Sequence, residues 1–152
     1  MARNETLRSI RDALHLEEED MQQIFRQAGR EVGRSTITAL LKTEEQDEYI
    51  PCSDPILGFF LDGLIIHQRG LPDGQPVPAP RPAAALSNNA ILKKLRIALD
   101  LKEDDLTGIL KLAGLTVSKH ELTALFRKQG HKHYKECSNQ LLRDFLKGLG
   151  RR

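Results

Sequence analysis

Five basic residues in the second half of the chain are the side chains best placed to do chemistry. Lys119, Arg127, Lys128, Lys132 and Lys135 lie close together in the sequence, with histidines between them. Cations at this density can contact phosphate groups and make binding depend on salt. They predict a nucleic-acid interface within residues 89–152.

A metal site is the alternative chemistry for part of this stretch. His131, His133 and Cys137 are of the right types, but zinc usually needs four protein ligands, or three and an open position. The stretch that aligns with it earlier in the chain has Gln46, Glu48 and Cys52. Because that copy lacks the histidines, we expect a solvated basic connector with no metal and no cofactor. Both cysteines are expected to be small buried hydrophobic residues.

The chain shows no pattern typical of an enzyme. It has no glycine-rich phosphate loop, no nucleophile paired with a base and no repeated pair of carboxylates. We therefore expect a protein that is not an enzyme. It also has no run of about 18 apolar residues and no cleavable apolar leader, which argues against membrane contact and export. The expected location is the cytoplasm.

An internal repeat determines which elements must position these side chains. Residues 4–64 align with residues 89–149 without a gap, at a constant offset of 85. A repeat of this length indicates one structural unit used twice. The matched pairs include Asn4/Asn89, Leu7/Leu92, Asp20/Asp105, Ala28/Ala113, Gly29/Gly114, Tyr49/Tyr134, Cys52/Cys137, Phe60/Phe145 and Gly63/Gly148.

Each repeat is predicted to form four helices, so the fold class is all-α. Apolar residues recur at helical spacing in four segments of each copy. Gly29 and Gly114 are expected to end the second helix, and Ser53, Ser118 and Ser138 to cap later helices. Five of the seven prolines fall between the repeats, where they predict an extended linker. The predicted domains are residues 1–70, a proline-rich linker at 71–88, and residues 89–152.

The first three helices of each repeat resemble a helix-turn-helix unit. In DNA-binding proteins of that type, the last helix enters the major groove. One feature departs from the pattern: the apolar positions of the third helix come about two residues later than the usual turn allows. Three packed helices also occur without any DNA contact, so this likeness leaves the function open.

The two repeats carry opposite net charge. Residues 1–70 have 8 basic and 13 acidic residues, a net charge of −5, whereas residues 89–152 have 14 and 7, a net charge of +7. Copies of one fold with opposite charge either attract each other or serve different partners. The acidic copy is expected to face a protein partner or a second chain, which would make a homo-oligomer.

Several segments resemble the YehS-like family of bacterial proteins of unknown function. The resemblance is carried by residues 92–96, 101–106, 121–122, 124–128, 140–143 and 145–149, with His131, Lys132, Tyr134 and Cys137, and in the first copy by residues 7–9, 60–61 and 63–65. It implies a small cytoplasmic bacterial protein with a duplicated domain. It implies no activity, cofactor or catalytic residue.

These patterns predict a non-enzymatic binding protein. Its basic second repeat would contact nucleic acid or a nucleic-acid-bound machine, as a transcriptional regulator does. The alternative is a protein-interaction adaptor that self-associates through its opposite charges and never meets nucleic acid.

Overall fold

The computed structural model describes residues 1–71 and 85–152, and these residues form eight helices and no strand. The first repeat contains α1 (Arg3–Leu14), α2 (Glu18–Gln27), α3 (Arg34–Leu40) and α4 (Asp54–Arg69). The second contains α5 (Asn88–Ala98), α6 (Glu103–Leu112), α7 (Lys119–Leu125) and α8 (Asn139–Gly150). The prediction of an all-α fold with four helices per repeat is confirmed. Most of the predicted proline-rich linker, residues 72–84, lies outside the described residues.

The helix ends follow from local sequence chemistry. The hydroxyl oxygens of Ser53, Ser118 and Ser138 accept hydrogen bonds from backbone amides of the first turn of α4, α7 and α8, at 3.3, 3.1 and 3.0 Å. These bonds satisfy amides that have no partner within the helix. Gly29 and Gly114, with φ of 80° and 83°, adopt the left-handed conformation that ends α2 and α6. The predicted caps are confirmed.

The two repeats exchange their helix partners. α4 packs on α2 of its own repeat and also on α5, while α8 packs on α6 and on α1. By contrast, α1 with α4 and α5 with α8 make only minor contact. Each first helix is therefore covered mainly by the last helix of the other repeat. A unit of about 60 residues is only marginally stable alone. The contacts between the repeats give both of them one continuous core.

The two repeats are related by approximate two-fold symmetry. Exchanging the repeats converts the α1–α8 contact into the α5–α4 contact. Arg3 and Asn88 occupy equivalent positions, 85 residues apart, and they contact each other: Arg3 Nη1 donates to Asn88 Oδ1 at 3.1 Å. Equivalent residues can meet only near the symmetry axis, so this pair marks where the axis passes.

A glycine in each last helix allows a close helix–helix approach. A Cβ atom added at Gly63 of α4 would lie 1.9 Å from the carbonyl oxygen of Ile24 in α2. The equivalent atom at Gly148 of α8 would lie 2.0 Å from the carbonyl oxygen of Ile109 in α6. Both distances are far inside van der Waals contact, so the residue pair Gly63/Gly148 is repeated because only glycine fits there.

The connection between the second and third helices is longer than in a DNA-binding helix-turn-helix. It spans residues 28–33 in one repeat and 113–118 in the other, with α3 and α7 of 7 residues each. The usual turn has about 3–4 residues. The late start of the third helix's apolar positions, noted in the sequence, is thus explained by this longer connection. It leaves α7 as a short helix followed by a long connector, which carries most of the basic residues.

Candidate functional site

Asn89 folds the basic connector, residues 127–137, back onto α7. Its side-chain nitrogen donates to the carbonyl oxygens of Leu125 at 2.9 Å and Lys135 at 2.8 Å, while its oxygen accepts from the Cys137 amide at 2.8 Å. The Lys135 amide also donates to the Ala124 carbonyl oxygen at 3.1 Å. One side chain of α5 thus ties the last residue of α7 to the end of the connector.

Asn4 does the same in the first repeat. It donates to the carbonyl oxygens of Leu40 and Ile50 and accepts from the Cys52 amide, each at 2.8 Å, and its side chain is only 3% exposed. The two connectors therefore share one backbone scaffold. Sequence reasoning gave no role to the Asn4/Asn89 pair. The available signal was a polar residue kept at the same position beside the apolar stripe of both first helices.

Three of the five predicted basic residues lie at the two ends of α7. Lys119 is its first residue, with its ammonium 3.7 Å from a Glu103 carboxylate oxygen. Arg127 and Lys135 lie at the other end, where both backbone amides donate to the Ala124 carbonyl oxygen. Lys135 is also 3.7 Å from Glu121, measured between its ammonium and a carboxylate oxygen.

Lys128 and Lys132 lie in the connector between Arg127 and Lys135, and both are exposed. Arg127 is half-buried. Because α7 is only about 10 Å long at 1.5 Å per residue, its two ends are close together. We name the set Lys119, Arg127, Lys128, Lys132 and Lys135 the basic surface.

Three exposed histidines lie within the basic surface. The ring centroids of His120 and His133 are 6.3 Å apart, and those of His131 and His133 are 5.7 Å apart. Since His120 belongs to α7 and His133 to the connector, the connector runs alongside the helix. This proximity was not visible in the sequence, where His120 is separated from the other two by the helix and a turn.

His131, His133 and Cys137 are not gathered into a set of metal ligands. In residues 1–71 and 85–152, no group of three or more His, Cys, Asp or Glu side chains is arranged to hold a metal ion. Cys137 is buried whereas both histidines are exposed. The two imidazoles therefore face solvent, whereas the thiol is buried.

Both cysteines are buried, as predicted. Burial raises the pKa of the Cys52 thiol to about 12 and that of Cys137 to about 11, because a thiolate would lose its hydration there. Each sulfur lies close to the carbonyl oxygen of the following serine, at 3.7 and 3.6 Å. Neither thiol has the low pKa of a nucleophilic or redox-active cysteine.

The first repeat presents acidic groups on the same scaffold. Its connector carries Glu44, Glu45, Asp47 and Glu48, all exposed. The Lys42 ammonium, at the position of Arg127, donates to the carbonyl oxygen of Asp47 at 2.8 Å. One backbone arrangement is thus used once with positive and once with negative side chains.

Oppositely charged side chains of the two repeats form ion pairs with each other. Arg143 of α8 pairs with Glu5 of α1 at 2.8 Å, and Lys94 of α5 pairs with Asp62 of α4. Both pairs lie across the exchanged helix contacts, and in both the second repeat provides the cation. They are partly exposed, so each adds little stability, but together they favour this pairing of helices.

Asp54, at the start of α4, ties the first repeat to the segment that leads into α5, near the symmetry axis. Its carboxylate accepts from the Leu86 amide and from Arg3 Nε, both at 3.0 Å. The Leu86 amide, and then the Arg3 guanidinium, hold the pKa of Asp54 below its usual range. This contact anchors the chain just before α5.

Comparison with known proteins agrees with this duplicated arrangement. A family model described as "Protein of unknown function (DUF1456)" matches residues 3–70 and again residues 88–152. The chain belongs to this family. Each DUF1456 match contains one complete four-helix repeat with its asparagine, its connector and its buried cysteine.

A relative extends the match to the whole chain. The uncharacterized protein YehS of Escherichia coli (strain K12) is 39% identical over 152 residues, covering 100% of this chain and 96% of the relative. The resemblance expected from the sequence is therefore confirmed. No solved structure matches this DUF1456 chain. Among the described residues, no helix is long and apolar enough to cross a membrane.

Proposed function

We propose that this protein is a non-enzymatic binding protein that contacts the phosphate backbone of nucleic acid through the basic surface. The observation that supports this most is the contrast between the two connectors. The same scaffold, held by Asn4 in one repeat and Asn89 in the other, carries acidic groups in the first and cations in the second. Packing explains the shared backbone but not the opposite charge.

The ion pairs of the basic surface leave its cations available. Lys119 with Glu103 and Lys135 with Glu121 are both 3.7 Å pairs between exposed groups. Such pairs contribute little, so a phosphate can replace the carboxylate at small cost. If most of the five cations each neutralise one phosphate, the logarithm of the affinity should fall with the logarithm of salt with a slope of about −4.

The short α7 favours backbone contact over reading of base edges. A helix that enters the major groove needs exposed side chains along one face, but α7 has 7 residues, of which Leu122, Ala124 and Leu125 are buried. The basic side chains instead cluster in the connector. We therefore propose phosphate contacts with little sequence discrimination, in a nucleic-acid-associated or transcription-related regulator. The acidic first repeat remains available to a protein partner or a second chain.

The test measures fluorescence anisotropy of labelled duplex DNA and structured RNA with the whole protein at several salt concentrations. The whole chain is required because the repeats share one core. The variant Lys119→Glu/Lys128→Glu/Lys132→Glu is compared with Lys93→Glu/Lys111→Glu/Lys147→Glu, which changes net charge equally at exposed sites outside the basic surface.

We expect the first variant to lose most of the affinity and the second to keep much more of it, with circular dichroism showing that both are folded. Equal losses would mean that net charge alone drives binding. An unchanged affinity and salt slope in the first variant would contradict the proposal.

The second candidate function is an adaptor that associates with itself. It is favoured by the ion pairs Glu5–Arg143 and Asp62–Lys94, since acidic and basic repeats that attract within one chain can also attract between chains. A dimer that weakens with salt in sedimentation velocity, in a protein with no affinity for DNA or RNA, would support it over the first proposal.

A further inference from the structure

The three histidines of the second repeat form a cluster that the scaffold does not require. The equivalent residues of the first repeat are Ser35, Gln46 and Glu48, yet both connectors make the same backbone contacts. For example, Gln46 and His131 amides donate to the carbonyl oxygens of Thr43 and Lys128, both at 3.0 Å. The backbone contacts that both connectors share therefore do not require the imidazoles.

One ring makes a hydrogen bond within the connector. His131 Nδ1 accepts from the His133 amide at 3.0 Å, a contact in which a neutral ring has its proton on Nε2. Protonation of Nδ1 would remove the acceptor and add a second positively charged donor. A ring in this position can therefore exchange a bond within the connector for a bond to an anion.

The charged groups of α7 and the connector are mostly positive. They are the cations Lys119, Arg127, Lys128, Lys132 and Lys135 and the carboxylates Glu121 and Glu136, and the adjoining start of α6 adds Glu103, Asp104 and Asp105. Two of these five carboxylates, Glu103 and Glu121, already pair with Lys119 and Lys135. A phosphate among the three rings would thus meet cations on several sides, and each imidazolium would add a charge-assisted hydrogen bond.

We propose that His120, His131 and His133 form a phosphate-contacting centre within the basic surface, and that it takes up protons when nucleic acid binds. This inference rests on the proposed function and adds three residues and a pH dependence to it. Imidazole is the side chain whose charge changes between about pH 5 and pH 8. Because the bound state holds more protons than the free state, affinity rises as the pH falls.

The expected effect is large enough to measure. Up to three further phosphate contacts become available, and each adds about 0.9 to the salt slope. We expect the affinity for duplex DNA to rise by about tenfold or more between about pH 8 and pH 6, with a steeper salt dependence at the lower pH.

The experiment measures duplex DNA affinity across this pH range at constant ionic strength, together with calorimetry in buffers of different ionisation enthalpy, which reports proton uptake directly. The test variant is His120→Gln/His131→Gln/His133→Gln. The control is His15→Asn/His67→Gln, which removes the two exposed histidines of the acidic repeat. Asparagine is chosen at His15 because this residue has φ of 55°, which asparagine tolerates.

The inference predicts that the wild type and the control gain affinity and take up protons at lower pH, whereas the test variant does neither. Binding that is independent of pH in the wild type, or equally dependent in the test variant, would overturn the inference while leaving the proposed function intact. If the protein bound no DNA at any pH, both the inference and the proposed function would be contradicted. If low millimolar inorganic phosphate displaced the DNA, the histidines would bind free phosphate and not the nucleic-acid backbone, and the inference would be overturned.

Discussion

Replacing Gly63 with alanine should destabilise the protein strongly, although alanine normally favours helices. The new Cβ would lie 1.9 Å from the Ile24 carbonyl oxygen and 2.8 Å from its carbon. That carbonyl belongs to the backbone of α2 and cannot rotate away. To restore ordinary contact, α2 and α4 must separate by about 1.5 Å.

The cost of this separation exceeds the gain in helix propensity. The helices meet through side chains with almost no exposure, including Phe25 and Phe60, whose ring centroids are 5.3 Å apart. A gap of about 1 Å already removes about half of a contact's dispersion energy. Alanine returns only about 1 kcal/mol of helix propensity. We expect a net loss of about 3 kcal/mol in the free energy of unfolding, or a Tm lower by about 10 °C.

The assay is urea unfolding followed by circular dichroism, with Gly58→Ala as the matched control. Gly58 lies in the same helix, but a Cβ there would meet nothing within 4 Å. We expect that control to stabilise by about 0.5–1 kcal/mol. Gly148→Ala should behave like Gly63→Ala, since its Cβ would lie 2.0 Å from a backbone oxygen. If Gly63→Ala were as stable as the wild type, the close approach of α2 and α4 would be refuted.

Three further predictions follow from other repeated or inter-repeat contacts. Asn4→Ala should lower the free energy of unfolding in urea by about 2–4 kcal/mol, because it leaves several buried polar groups unpaired. Asn89→Ala should lower it by less, because its site is more exposed. If neither variant lost measurable stability, the role of these asparagines in holding the connectors would be contradicted. The lowered pKa of Asp54 means that its carboxylate stabilises the fold above the ordinary carboxyl pKa, and that this contribution is lost as the pH falls through the folded-state value. Asp54→Asn should therefore be less stable than the wild type at neutral pH, with the difference shrinking in acid; a constant difference would count against the ion pair. With pKa values raised to about 12 and about 11, Cys52 and Cys137 should react with a thiol reagent at neutral pH only as fast as the protein opens, and rapid reaction of the native protein would contradict their burial.

Local features of the fold were predictable because they depend on neighbours in sequence. Ser138 accepts a hydrogen bond from a backbone amide in the first turn of the helix that follows it. Gly29 ends the preceding helix by adopting a left-handed conformation. The same holds for the apolar stripes, which recur at helical spacing and are buried as expected. The domain limits at 1–70, 71–88 and 89–152 stay a prediction, as most of the linker lies outside the described residues.

The candidate site was only partly predictable. The five cations follow from composition and from comparison of the two copies. Their arrangement depends on Asn89, whose three hydrogen bonds reach residues 36 to 48 positions away. The approach of His120 to His133 depends on the same fold-back. A single polar residue in a helix gives no sign of which distant amides and carbonyls it will pair with.

The sequence by itself determined that the protein is all-α, that one four-helix unit occurs twice, and that the two copies carry opposite charge. Only the tertiary structure decided that each repeat's first helix is covered by the other repeat's last helix. Helical periodicity shows which face of a helix is apolar. It does not show which other helix will cover that face, because any apolar face of suitable shape can do so. Contacts that act across the interface favour this arrangement, among them the axial contact of Arg3 with Asn88 and the ion pair of Arg143 with Glu5.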